Sequence, residues 1–150
     1  MRDVVVTVAY AAAAINLAAA LWGGWRWWKV EPSGAFWVML RGGQVAAAAF
    51  ALLAGIAALA GHRPDDSLFW LYVALPLGVA FVAEQLRILS AQTVLDARGL
   101  EDARAVGRLP DADQRSVVLA IVRREMGVMA AEAAAVAFLL ARAAMTSGGV

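Results

Sequence analysis

Long runs of apolar residues divide the chain into four segments, which are separated by shorter polar connections. The runs cover about residues 4–22, 35–60, 68–89 and 126–145, and Ser67 stands where it would cap the third. A helix of about 20 apolar residues is long enough to cross the hydrocarbon core of a bilayer. The pattern therefore predicts an all-α membrane protein in which a single domain, 1–150, forms a bundle of four transmembrane helices.

One substantial polar stretch, about residues 90–125, lies between the third and fourth spans. Gly99 is a natural helix end, and Pro110 followed by Asp111 and Asp113 is typical of a helix start. Apolar positions recur at helical spacing after that start. The stretch is therefore predicted to form a helical hairpin that extends from the bundle on the cytoplasmic side.

Composition narrows the classes of function. Hydrophobic residues make up 63% of the chain and charged residues 17%, whereas a soluble domain is nearer about half apolar and a quarter charged. This makes a water-soluble enzyme untenable, and a net charge of +1 disfavours nucleic-acid binding. The chain has no Cys and one His, His62. We therefore predict no disulfide, no metal site and no cofactor.

Basic residues set the predicted orientation, because Lys and Arg near span ends favour the cytoplasm. With the hairpin inside, ten of the 13 basic residues are cytoplasmic, and Arg2, Arg63 and Arg142 are outside. Both termini are then predicted outside. All 13 are Arg except Lys29, a coding bias typical of high-GC bacterial genomes. We expect a multi-pass protein of the bacterial inner membrane.

Each predicted span carries polar residues near its cytoplasmic end. Counted inward from the span ends at a rise of about 1.5 Å per residue, they lie about 5 to 13 Å deep. Charges in the hydrocarbon cost about 2.5–3.5 kcal/mol each and usually pair inside the bundle. Arg41 is therefore expected to bridge Glu84, Glu132 or both. The complete candidate site is Asn16, Arg41, Gln44, Glu84, Gln85 and Glu132.

The leading functional prediction is a small channel or transporter for an ion, a proton or a small solute. Glu84 and Glu132 would be titratable or cation-binding groups, and an anionic substrate at Arg41 is equally compatible. The alternative is a structural or assembly protein, in which the polar residues only fix helix packing and the hairpin binds a cytoplasmic partner. An enzyme is disfavoured, because no nucleophile, metal cluster or phosphate-binding loop accompanies the two carboxylates.

Two further interactions are expected from surface residues. Small residues such as those at 46–49 and Gly55 allow close helix contacts, either within the bundle or in a homodimer. Arg115, Arg123 and Arg124 follow the hairpin turn and are placed to contact anionic lipid headgroups.

Overall fold

The computed structural model describes residues 2–61, 64 and 66–147, and these residues form five α-helices. The expectation of an all-α chain is confirmed. The predicted outer-side positions of Arg63, of the Arg2 side chain and of both chain ends lie outside what is described. The helices are α1 (Arg2–Lys29), α2 (Gly34–Leu59), α3 (Leu68–Ala97), α4 (Ala103–Val106) and α5 (Asp111–Met145).

Helices α1, α2, α3 and α5 are each long and apolar enough to cross a membrane. Many of their large apolar side chains point outward, including Leu59 at 91% and Val38 at 75% exposure. Soluble monomers rarely expose extended apolar surface, so an exterior of this kind indicates a membrane protein. Helix α5 has 35 residues and is continuous, so the polar start and the apolar remainder form one rod of about 52 Å.

The four long helices enclose two apolar cores. Helix α1 packs against α5 and α2, α3 packs mainly against α5, and α2 contacts α3 less extensively. The first core, which we call the outer core, includes Val5, Phe50, Phe69, Val136 and Leu140. The second, the inner core, includes Ala19, Phe36, Leu40, Met126 and Met129. Along α1 and α3 the chain passes from the outer core to the inner core, and along α2 and α5 it passes back, so consecutive long helices run in opposite directions.

The connection between α1 and α2 is short and held by side chains. Val30 has φ 55°, and the Glu31 N–H donates to the Arg26 carbonyl at 3.0 Å, which closes α1 with a left-handed turn. The Ser33 hydroxyl then accepts from the Phe36 N–H at 3.2 Å and from Trp22 Nε1 at 3.1 Å. Ser33 thus caps α2 and ties it to the end of α1.

The ends of α3 have different caps from one another. Ser67 stands at the N-cap position of α3, as predicted, but its side chain makes no capping bond. Asp66 accepts from the Leu68 N–H instead, at 2.8 Å. At the other end Gly99 has φ 67°, and the Leu100 N–H donates to the Leu95 carbonyl at 3.0 Å. Glycine adopts this left-handed conformation without a steric penalty, which ends the helix there.

Candidate functional site

A group of polar side chains, which we call the polar layer, lies between the inner and outer cores. Arg41 and Gln44 of α2 follow inner-core Leu40 and precede outer-core Ala47. On α5, Glu132 is next to inner-core Ala133, and on α3, Glu84 is next to inner-core Ala83. The helices therefore bring four of the predicted site residues to one level of the molecule.

Glu84 is the centre of a charged cluster that links α2 to α3. Its Oε1 accepts from Arg41 Nη1 at 2.5 Å, and its Oε2 accepts from Arg87 Nε at 2.9 Å. Each carboxylate oxygen thus has its own guanidinium donor, and such charge-assisted bonds are the strong class of side-chain hydrogen bond. Arg87 also lies over the Trp37 ring, 5.8 Å from its centroid. Glu84 is thereby held between two helices.

Gln44 extends this cluster toward the interior. Its Oε1 accepts from Arg41 Nη1 at 2.6 Å. Its Nε2 lies 3.5 Å from Glu84 Oε1 and 3.5 Å from Glu132 Oε1, at the long limit for hydrogen bonds. The Gln44 side-chain amide therefore lies between the two carboxylates, and its Nε2 is at the same distance from both.

Glu132 is the most buried ionisable side chain of the polar layer. It is 3% exposed, and its Oε2 has no hydrogen-bond partner among the described residues. The Arg41 and Glu84 side chains are 50% and 24% exposed. Exposure thus falls along the series Arg41, Glu84, Glu132, from an ion pair at the surface to an unpartnered carboxylate oxygen inside. A buried carboxylate oxygen without a donor is costly, so it favours a proton or a cation.

Asn16 joins the polar layer through the backbone of α2 and contacts none of its charged side chains. Its Nδ2 donates to the Ala12 carbonyl at 2.9 Å and to the Gly43 carbonyl at 3.0 Å. The side chain is fully buried. A Cβ at position 43 would lie 2.6 Å from Asn16 Oδ1, so Gly43 is what allows α1 and α2 to approach here.

Three positions differ from the simple picture of six convergent side chains. Gln85 is exposed, and the structure does not bring it to the cluster, because it lies a helical step around α3 from Glu84. Trp37 and Arg87 do join the cluster, although neither was among the candidate residues. The spacing of Trp37, Arg41 and Gln44 at i, i+4 and i+7 places them on one face of α2, and this was the available signal for Trp37.

The chemistry that the site can perform is limited by its residue types. Within 2–61, 64 and 66–147, no group of three or more His, Cys, Asp or Glu side chains is placed to hold a metal ion. The site offers carboxylates, amides and guanidinium groups, which suit proton or ion binding and hydrogen bonding. Comparison of the chain with protein-family models, curated proteins and solved structures gives no match.

Proposed function

We propose that this protein is a small membrane channel or transporter that carries a proton or a small cation through its polar layer. The observation that carries the proposal is the buried carboxylate of Glu132, whose Oε2 has no donor among the described residues. Intramembrane ionisable groups are rare because they are costly, and those that occur commonly mark ion pathways or proton relays. Glu132 is the proposed carrier group.

The path in this proposal runs from Glu132 past the Gln44 side chain to Glu84, and the Gln44 amide positions the two carboxylates without itself carrying a proton. The Gln44 amide lies between the two carboxylates at 3.5 Å from each. Glu84 is partly exposed and paired with Arg41 and Arg87, so it can exchange with groups nearer the surface. An anionic substrate at Arg41 has less support, because Arg41 Nη1 already donates to Glu84 Oε1 and to the side-chain oxygen of Gln44.

We further propose that the four long helices span a bilayer. The end of the bundle that contains the inner core would face the cytoplasm. Arg26 and Lys29 at the end of α1 lie at the same end of the molecule as Arg123, which stacks on Trp27. This grouping of basic residues supports a cytoplasmic end, with the α3–α5 connection as a cytoplasmic hairpin. A periplasmic reporter fused after Val150 should be active, and an inactive reporter would reverse the orientation.

The transport test uses a matched pair of substitutions on α5. The full chain is reconstituted in liposomes, and proton or potassium flux is recorded with an enclosed dye. Glu132→Gln should reduce the flux to background, because it removes the exchangeable carboxylate and keeps the size of the side chain. Glu125→Gln makes the same chemical change two turns earlier on the same helix, outside the polar layer, and should retain the flux. Absence of flux in the unmodified protein contradicts transport, and equal flux in both variants contradicts Glu132 as the carrier group.

A second candidate function is structural, and a separate observation favours it. Helices α2 and α3 contact each other little, and the Arg41–Glu84 pair spans the place where they meet. In this alternative the polar layer fixes helix register, and the α3–α5 connection binds a cytoplasmic partner. A double-mutant cycle of Arg41→Gln and Glu84→Gln should then give a coupling energy of about 0.5–3 kcal/mol. The structural function requires two results together: this coupling must be measured, and the unmodified protein must show no flux.

A further inference from the structure

A cavity of about 670 Å³ opens between the end of α1 and the first half of α5, separate from the polar layer. We call it the basic cavity. Three arginines of α5 line it together with one aromatic side chain and several smaller ones. The residues that matter here are Trp27, Arg115, Ser116, Leu119, Arg123 and Arg124.

The basic cavity carries positive charge that no acidic side chain among the described residues neutralises by an ion pair. Arg115, Arg123 and Arg124 are exposed, and none of them forms an ion pair with a described carboxylate. No Asp or Glu lines the cavity. Arg115 and Arg123 are a little more than two helical turns apart on α5, so the charge extends over about 12 Å. This arrangement suits one or two phosphate groups.

Side-chain contacts hold the walls of the basic cavity in place. Arg123 lies over the Trp27 ring at 5.6 Å from its centroid. Trp27 in turn fits against Gly127, where an added Cβ would lie 2.8 Å from Trp27 Nε1. Ser116 accepts from Arg98 Nη2 at 3.0 Å, which brings a fourth guanidinium to the rim.

Two apolar cavities, which we call together the apolar groove, follow the basic cavity along α1 and α5. A second cavity of about 480 Å³ shares Trp27 with it and is lined by Leu17, Leu21 and Ala134 among others. A third of about 420 Å³ shares Leu17 and Ala134 and reaches Tyr10. From Trp27 to Tyr10 the groove runs about 25 Å along the helix, which is comparable to the thickness of the hydrocarbon core.

We propose that the basic cavity binds the phosphodiester headgroup of an anionic phospholipid, with an acyl chain in the apolar groove. Basic pockets between helices at the cytoplasmic face recognise such headgroups. Trp25 and Trp28, which are close to Trp27 in the sequence of α1, are 57% and 73% exposed, as is typical of aromatic residues at a membrane interface. A free phosphate would use the arginines alone, whereas the lipid uses both the arginines and the groove that joins them.

The test measures lipid binding to the full-length chain in detergent by native mass spectrometry. Phosphatidylglycerol and phosphatidylcholine with identical acyl chains are titrated separately, and the first should bind more tightly. Each arginine near an anionic surface contributes about fivefold in affinity, so Arg115→Gln/Arg124→Gln should weaken phosphatidylglycerol binding about 30-fold. This pair leaves the Arg123–Trp27 contact intact. Binding of phosphatidylcholine should not change.

Two further variants distinguish a lipid at this site from a soluble phosphate and from general attraction to positive charge. Arg104→Gln/Arg108→Gln removes the same charge outside the cavity and should retain phosphatidylglycerol binding; equal loss in both double variants overturns the site. Ala134→Trp fills the apolar groove and should weaken the binding of phosphatidylglycerol. If inorganic phosphate displaces phosphatidylglycerol and Ala134→Trp has no effect, the site takes a soluble phosphate and the lipid proposal is wrong. Equal affinity for the two lipids in the unmodified protein also overturns it.

Discussion

Adjacent glycines on α2 should respond in opposite directions to the same substitution. An added Cβ at position 43 would lie 2.6 Å from Asn16 Oδ1 and 2.8 Å from its Cγ. Asn16 is fully buried and holds two hydrogen bonds, so it has little room to move. At position 42 an added Cβ meets nothing within 4 Å. Gly43→Ala is therefore the perturbation, and Gly42→Ala is its matched control.

The magnitudes follow from three contributions. Overpacking a tight site costs about 1–3 kcal/mol, and loss of the Asn16 bond to the Gly43 carbonyl costs about 1 kcal/mol. Replacing a helical glycine with alanine returns about 1 kcal/mol. Gly43→Ala should lower the free energy of unfolding by about 1–3 kcal/mol, whereas Gly42→Ala should raise it by about 1 kcal/mol.

The assay is reversible unfolding of both variants in mixed detergent micelles, followed by circular dichroism at matched protein concentration. Asn16→Ala provides a further control, because it removes the atoms that the new methyl group would meet. In that background Gly43→Ala should no longer destabilise the protein. If Gly43→Ala is as stable as Gly42→Ala with Asn16 present, the close approach of α1 and α2 described here is wrong.

Four other substitutions test the helix ends. Val30→Gly should stabilise the protein by up to about 1 kcal/mol, since a β-branched residue at φ 55° is strained; a loss of stability in thermal unfolding would contradict this. Asp66→Ala should cost about 1 kcal/mol and Ser67→Ala almost nothing, because Asp66 caps α3; the reverse order would restore the serine as the cap. Ser33→Ala should cost about 1–2 kcal/mol, because the hydroxyl serves both the α2 cap and Trp22. An unchanged midpoint for that variant would show that these two bonds add no stability.

The all-helical character of the chain could be predicted because apolar runs of helical length dominate the sequence. Polar residues stood out against these runs, so their depth along each helix could be counted. The direction in which each polar side chain points around its helix axis was harder to predict. Glu84 and Gln85 are neighbours at nearly the same depth, but consecutive helical residues point about 100° apart. Only one of them faces Arg41.

Hydrogen bonds from side chains to backbone atoms could not be predicted from the pattern of residue types. Asn16 was predicted as part of the candidate site, but its Nδ2 bonds to the carbonyls of Ala12 and Gly43. That contact depends on how closely α1 approaches α2, which the apolar pattern does not specify. The Asp66 cap was missed for a similar reason, since Asp and Ser are both good caps and the local turn decides between them.

The Arg41–Glu84 pair has a consequence for biogenesis. The two residues are 43 positions apart, and α2 leaves the ribosome before α3. If α2 partitioned into lipid by itself, Arg41 would lack its counter-charge at a cost of about 2.5–3.5 kcal/mol. In the proposed four-span arrangement, that cost favours retention of α2 beside the translocon until α3 arrives, so that Arg41 enters the bilayer already paired with Glu84.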